Sequence, residues 1–401
     1  MFVRRLYSVS LALLIALFQV GYPASSGGLA RNLSSQLQRY GPSGPGSVER
    51  RDALMRLDDL LLNDSYEAPR IISADFISTA ISEMTSSSRT TSVWYIWNMG
   101  YVVRAKDKVL GFDLPEVLID PLNEEQIRII AQSLDFFFVS HMDKPHRDLD
   151  IVSLMGAESR VVCPQEVVES FDMVVDRQCE VVGMETGESL TIDGVQIRAF
   201  FGDDRRGTPM RCYHVNYGGV RVLQTGDQHY VADWMAELKG KVDVLMIGPL
   251  EKFEWVVEAI ETIQPRYTIP GGIYDMSHPR DTWAGYPYCY DLREQTEHQV
   301  VPMFFGEKLQ LAGSGGGDLP IPYIAAFIAL VGIGGAGAVL LSRRGEGQRR
   351  RKPRRGGGEN HECERRYVER LCLTCKHYAL KGGRPYCRKY NLYLDTDDKT
   401  T

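Results

Sequence analysis

An excess of positive charge is missing from this chain of 401 residues: 46 lysines and arginines stand against 52 aspartates and glutamates, a formal net charge of −6. That balance gives no reason to expect nucleic acid as a partner, because gripping a phosphate backbone calls for a basic surplus. Charge of either sign is missing from two segments, and these set the expected topology. The run Leu6–Tyr22 follows Arg4 and Arg5, has the short apolar centre SLALLIAL, and leads to Ala24, Ser25 and Ser26. An apolar centre of that length suits a secretory signal better than a span, so residues 1–26 read as a signal peptide or an uncleaved anchor.

The second uncharged run, Leu319–Ser342, has 24 residues, follows a glycine-rich stalk over 311–318, and is followed at once by Arg343 and Arg344. It is long enough for a transmembrane helix over 319–342. Between Arg343 and Arg355 lie eight basic residues against one glutamate, and such a flank places a tail in the cytoplasm. The expectation is a cell-membrane protein with its main domain outside and a basic linker over 343–360. The membrane is then one partner, and a small-molecule substrate or another protein is the second.

The eight cysteines divide evenly across that span. Cys163, Cys179, Cys212 and Cys289 fall in the outer part, where disulfides are permitted but buried free thiols are equally in keeping with their scatter. Cys363, Cys372, Cys375 and Cys387 crowd residues 361–401, with a CxxC at Cys372 and Cys375. Thiolates grouped in a segment with little apolar content suggest a structural zinc module, with a redox dithiol or an iron–sulfur ligand set as alternatives.

At 44% apolar residues the chain can bury one large core or two smaller ones. Residues 27–90 carry two stretches of helical periodicity, VERRDALMRLDDLLL and ISADFISTAISEM, expected to pack on the main domain. Over residues 91–310 strand and helix signals alternate. VWYIWNMGYVVRAKDKVLGFDL reads as two strands joined by an AKDK turn, with a bend at Asn98–Gly100. NEEQIRIIAQSL, RDLDIVSLMG, PQEVVESFDM, VADWMAELKG and EWVVEAIETIQ read as helices; DFFFVSH, RVVCP, VDVLMIG and RYTIPGG read as strands. Two hairpin-rich halves, each with helices, predict an α/β fold of two sheets stacked face to face with helices outside.

The segment FFFVSHMDKPHRDLD carries the chemistry. A buried strand ends in His141, Asp143 and His146, and side chains at the carboxyl end of a strand in an α/β sheet face the crevice where ligands and metals bind. Each of these residues alone is more simply a polar loop residue, and Lys144, beside Asp143, offers an ion pair with no metal at all. His214 sits in a strand and reads as structural; His229, in TGDQHY, reads as an additional proton acceptor or equally as a solvent-exposed residue.

WNMGYVVRAKDKVLGFDL, VSH at a strand end, VRVLQTGD and the closing IPGG occur in an order that resembles the metallo-β-lactamase superfamily, nearest in pattern to its lactonase-like branch, over about 220 residues. The resemblance implies an αββα sandwich and a metal-dependent hydrolase of an ester, lactone or phosphoester. It implies one metal site drawn from His141, Asp143, Asp204 and Asp227, and a second from position 145, His146, Asp227 and position 272. Pro145 and Gly272 supply no side-chain ligand, which leaves the second site with His146 and Asp227; His278 is a distant stand-in. One imidazole and three carboxylates form a hard ligand set, which favours manganese, iron or magnesium over zinc on ligand softness. Asp227 and His146 are the expected catalytic pair. The alternative is a non-catalytic ectodomain that binds a ligand or partner and is coupled to the cytoplasmic zinc module.

Overall fold

A computed structural model describes residues 26–42, 47–86, 90–115, 122–173, 177–274 and 284–311, and the backbone of three short strands near the C-terminus. The expected signal, stalk, span and basic linker lie outside the described residues, as do His278, Cys363, Cys372 and Cys375. Among the described residues no helix is long and apolar enough to cross a membrane.

The described residues up to Leu311 form one compact unit, built on two mixed sheets. The first runs, in spatial order, β13 (Lys308–Gln310), β1 (Ser92–Trp97), β2 (Gly100–Ala105), β3 (Lys108–Phe112), β4 (Phe136–Phe138), β5 (Arg160–Pro164) and β6 (Glu180–Met184). The second runs β12 (Tyr267–Pro270), β11 (Val244–Ile247), β10 (Val220–Gln224), β9 (Met210–Tyr217), β8 (Val195–Gly202) and β7 (Ser189–Ile192). In each sheet one part is antiparallel and the other parallel: β3 to β6 in the first, β10 to β12 in the second.

Alternation along the strands explains the layering, since successive side chains point to opposite faces. Phe136 and Phe138 of β4 face the core between the sheets with Tyr95, Trp97, Tyr213, Val222 and Met246, while Phe137 faces outward with Trp94, Ile96 and Val102. Both faces are therefore apolar and must be covered. Helices 124–133 and 149–154, with part of 67–84, cover the first sheet; helix 253–263 and Met235, Leu238 and Leu292 cover the second. The result is the expected αββα sandwich. Helix 124–133 begins at a reciprocal cap, in which Asn123 accepts from Gln126 N–H at 2.9 Å and Gln126 accepts from Asn123 N–H at 3.0 Å.

The N-terminal helices, 26–39, 48–62 and 67–84, pack on the same unit through Leu33, Leu37, Leu54, Leu57 and Leu61. Arg50 reaches across to Glu307 at 2.7 Å and to the Pro302 carbonyl at 2.8 Å, and Asp58 accepts from Tyr286 N–H at 2.9 Å and from the Tyr274 hydroxyl.

Several sequence expectations need correction. Asn98–Gly100 is a tight connection between two separate strands, not a bend in one, because Asn98 adopts φ 50° and Trp97 pairs back onto Gly100. β6, the helix Tyr286–Gln295 and β13 were not expected. VADWMAELKG yields only a 3-10 turn over Asp233–Leu238. The four cysteines of this unit are free and buried, and burial pushes their thiols up, Cys163 to about 12.

A second unit, toward the C-terminus, holds an antiparallel sheet of Tyr378–Lys381, Arg384–Cys387 and Leu392–Tyr393. Cys387 ends the middle strand.

Candidate metal centre

The site forms where the carboxyl ends of β3, β4 and β10 meet the loop that follows β8. Its organiser is Asp113, fully buried at the end of β3 with φ 40°. Its carboxylate takes four donors: Ser140 N–H at 2.7 Å, the Ser140 hydroxyl at 2.6 Å, His146 Nδ1 at 2.8 Å, and the Gln224 side-chain amide. Two sheets are thereby joined at one buried anion, since β4 and β10 belong to different sheets.

After β4 the chain turns through Lys144–His146, a 3-10 turn with Pro145 in its first positions and closed by His146 N–H on the Asp143 carbonyl at 2.9 Å. Pro145 is thus a turn former where a ligand is missing. The turn carries His146 inward, where it is 1% exposed, and Asp148 then caps the helix 149–154. His146 Nε2 lies 3.1 Å from Asp227 Oδ1, so the imidazole bridges Asp113 and Asp227. Burial opposes its charge, but the two carboxylates outweigh burial and raise its pKa well above the ordinary value. For Asp227, too, burial works against ionisation; His146, His141 and Arg206 overcome it and hold the carboxyl far below the usual range.

His141 is the decisive residue. Ser140 donates its single hydroxyl proton to Asp113, so at the 2.9 Å contact with His141 Nδ1 the serine oxygen must accept and Nδ1 must carry the hydrogen. Burial lowers the His141 pKa, with the nearby His146 acting in the same direction. The neutral ring then has its lone pair on Nε2. That atom is buried without a hydrogen-bond partner, and it faces Asp227 Oδ2 at 3.7 Å and Asp143 Oδ2 at 3.8 Å. A lone pair aimed at two anionic oxygens is repulsive unless a cation lies between them. An ion bonded at about 2.1 Å to each ligand keeps ligand atoms roughly 3–4 Å apart, and this spacing fits.

The expected ligands are brought together in two overlapping groups, His141, His146 and Asp227, and His141, Asp143 and Asp204, the ligand atoms of each lying within 4.8 Å of one another. Asp204 is buried, with Oδ1 accepting from Arg206 N–H at 2.9 Å and Thr208 N–H at 3.2 Å and Oδ2 accepting from Arg206 Nε at 3.2 Å. Asp143 pairs with Arg206 at 2.8 Å. Position 272 offers nothing: Gly272 has φ 64°, and a Cβ there would lie 2.5 Å from Pro249 Cδ. His229 lies beside the site with Nδ1 buried and unpartnered, its pKa lowered by burial. His214 Nε2 lies 3.2 Å from the Lys241 carbonyl, away from the site.

Two residues escaped the sequence reading. Asp113 ends GFD at the close of an apolar strand, a signal as good as the one that pointed to His141. Arg206, inside FFGDDRRG, contacts three of the expected ligands.

Residues 113–271 match the profile of a Beta-lactamase superfamily domain. The first matched residue is Asp113, and the last, Gly271, belongs to the tight IPGG closure. A comparison with curated proteins gave no match. Among solved structures the chain is similar to Igni18, a metallo hydrolase from Ignicoccus hospitalis, at 14% identity and TM-score 0.45, over 56% of this chain and 99% of that one. It is similar to the metallo-β-lactamase fold protein YhfI from Bacillus subtilis at 12% identity and TM-score 0.46, over 55% of this chain and 100% of that one. It is also similar to CmlA, a diiron β-hydroxylase from Streptomyces venezuelae, at 14% identity and TM-score 0.43, over 56% of this chain and 55% of that one.

Proposed function

We propose that the superfamily domain is a metal-dependent hydrolase of an ester, lactone or phosphoester, built on one carboxylate-rich site. His141, Asp143, Asp204 and Asp227 hold a divalent metal, manganese, iron or zinc. The observation that carries this reading is the lone pair of His141 Nε2, buried and directed at two carboxylate oxygens. A metal in such a set supplies a Lewis acid and lowers the pKa of water. The protein's own residues do the rest. Asp113 fixes His146, His146 steadies Asp227, and Ser140 fixes the His141 tautomer. His229, neutral because burial disfavours its charge, is placed to accept a proton.

The topology belongs to the same proposal and rests on sequence. The uncharged 319–342 run with its arginine flank supports a single membrane span, and the four tail cysteines support a cytoplasmic zinc module.

The test is metal content of the purified full-length protein and of its His141→Ala variant after reconstitution with manganese, iron or zinc, the tail counted separately through a Cys372→Ser, Cys375→Ser background. One metal per domain in the parent and none in the variant supports the reading. No domain metal in the parent ends it.

One observation favours a second reading. Arg206 pairs with three of the carboxylates that a metal would use, which suits a domain that binds ligands or partners without catalysis, and a metal-free parent protein supports it.

A further inference from the structure

Arg206 meets the metal ligands in an unusual way. Its guanidinium spends three different nitrogens on three different carboxylates: Nη1 on Asp143 Oδ2 at 2.8 Å, Nε on Asp204 Oδ2 at 3.2 Å, and Nη2 on Asp227 Oδ2 at 3.5 Å. Two of those oxygens, on Asp143 and Asp227, are the same atoms that face His141 Nε2. A guanidinium and a metal therefore address one set of atoms.

The loop is shaped to present this side chain. Arg206 N–H is held by Asp204 Oδ1 at 2.9 Å, and the residues on either side, Arg205 and Gly207, take left-handed backbone with φ 60° and 74°. A non-glycine residue in that region marks a constrained position. The Arg206 side chain is 44% exposed, so it has solvent on its far side into which it can withdraw. It cannot discharge itself by losing a proton.

We propose that Arg206 is a tethered counter-ion that competes with the divalent metal for Asp143, Asp204 and Asp227, and so sets how tightly the centre holds its metal. The proposal rests on the metal-centre reading above. In the metal-free protein the guanidinium keeps three converging carboxylates from repelling one another. When a metal enters, the same positive charge either withdraws or remains as a close repulsive neighbour, and both outcomes weaken binding. Loss of the charge therefore tightens binding. Lysine, a point charge without the three-way fork, gives an intermediate affinity.

The experiment titrates metal-stripped full-length protein in the Cys372→Ser, Cys375→Ser background with manganese alone, by calorimetry, for the parent, Arg206→Gln and Arg206→Lys. Circular dichroism melts of the metal-free proteins establish that each is folded. Arg206→Gln is expected to bind about tenfold tighter or more, and its metal-free form to melt below the parent. Equal or weaker binding by Arg206→Gln, with the parent still binding, overturns the counter-ion and leaves the metal centre standing. No manganese bound by any of the three overturns both. If Arg206→Gln does not fold without metal, Arg206→Lys decides: tighter binding than the parent supports the proposal, and equal or weaker binding overturns it.

Discussion

Asp113 and His146 are joined by a 2.8 Å contact between a fully buried carboxylate and an imidazole nitrogen, 33 residues apart in the chain. The pair ties the end of a central strand to the turn that carries the metal-site loop, and the same carboxylate serves Ser140 and Gln224.

Removing that carboxylate strands several buried donors at once. Asp113→Ala is expected to destabilise the domain by about 3–5 kcal/mol, because each orphaned donor, and an imidazolium left with one of its two carboxylates, carry their own cost. Urea unfolding of the two proteins measures it. A loss below about 1 kcal/mol means that Asp113 does not organise the site.

Ser140 reaches the expected ligands directly at His141 and, through Asp113, at His146. Ser140→Ala leaves every ligand in place but frees the His141 ring to adopt the other tautomer, and manganese affinity should fall about 10- to 100-fold while stoichiometry is kept. Calorimetric titration separates the two quantities. Unchanged affinity shows that the tautomer is fixed by something other than the serine.

Gly226 precedes Asp227 in a left-handed turn with φ 55°, and a Cβ there would stand 2.7 Å from Ser140 Oγ. Gly226→Ala combines backbone strain with a clash against the site's own serine, so a loss of about 2 kcal/mol or more is expected. The alanine variant should also bind metal less tightly, since Asp227 follows directly. Parent-like melting contradicts the close approach.

Away from the site, Asp243 accepts from Arg221 N–H at 2.8 Å and from its guanidinium at 2.9 and 3.0 Å, pinning the parallel pair β10 and β11. Burial works against the Asp243 charge, but these bonds lower its pKa below the ordinary value. A carboxylate depressed on folding contributes stability above about pH 4, its unfolded value, and loses that contribution as pH falls through the folded value. Asp243→Asn should therefore be less stable than the parent at pH 7, with the gap narrowing below pH 4. Guanidine unfolding at pH 7, 4 and 3 tests the sign, and a gap that widens in acid refutes it.

Much of this was legible in the chain because it depends on local pattern. Phe136–Phe138 reads as a strand buried on both faces, and polar residues at its end point to a site. The two-sheet layering follows from such strands and their helices. Asp113 was harder to read because its role depends on partners 27 and 111 positions away, Ser140 and Gln224. Arg206 was harder still. An arginine among aspartates in a surface loop reads as solvated, and only the fold shows that three of its neighbours converge. The helix Tyr286–Gln295 was hidden by chemistry of another kind: Tyr286 and Tyr290, with Cys289, form its buried side, and tyrosines do not register as an apolar stripe. β6 is an edge strand, mostly half-buried, with too weak an alternation to announce itself.

His141 and Asp143 follow a strand of one sheet, and Asp204 and Asp227 follow strands of the other. A cation held among the four is therefore a rivet through both halves of the sandwich. Since it binds only when the halves are together, its saturation counts directly against their separation, about 2.7 kcal/mol at a hundred times the dissociation constant. On this architecture, filling the centre adds a second tie between sheets that the Asp113 carboxylate already joins.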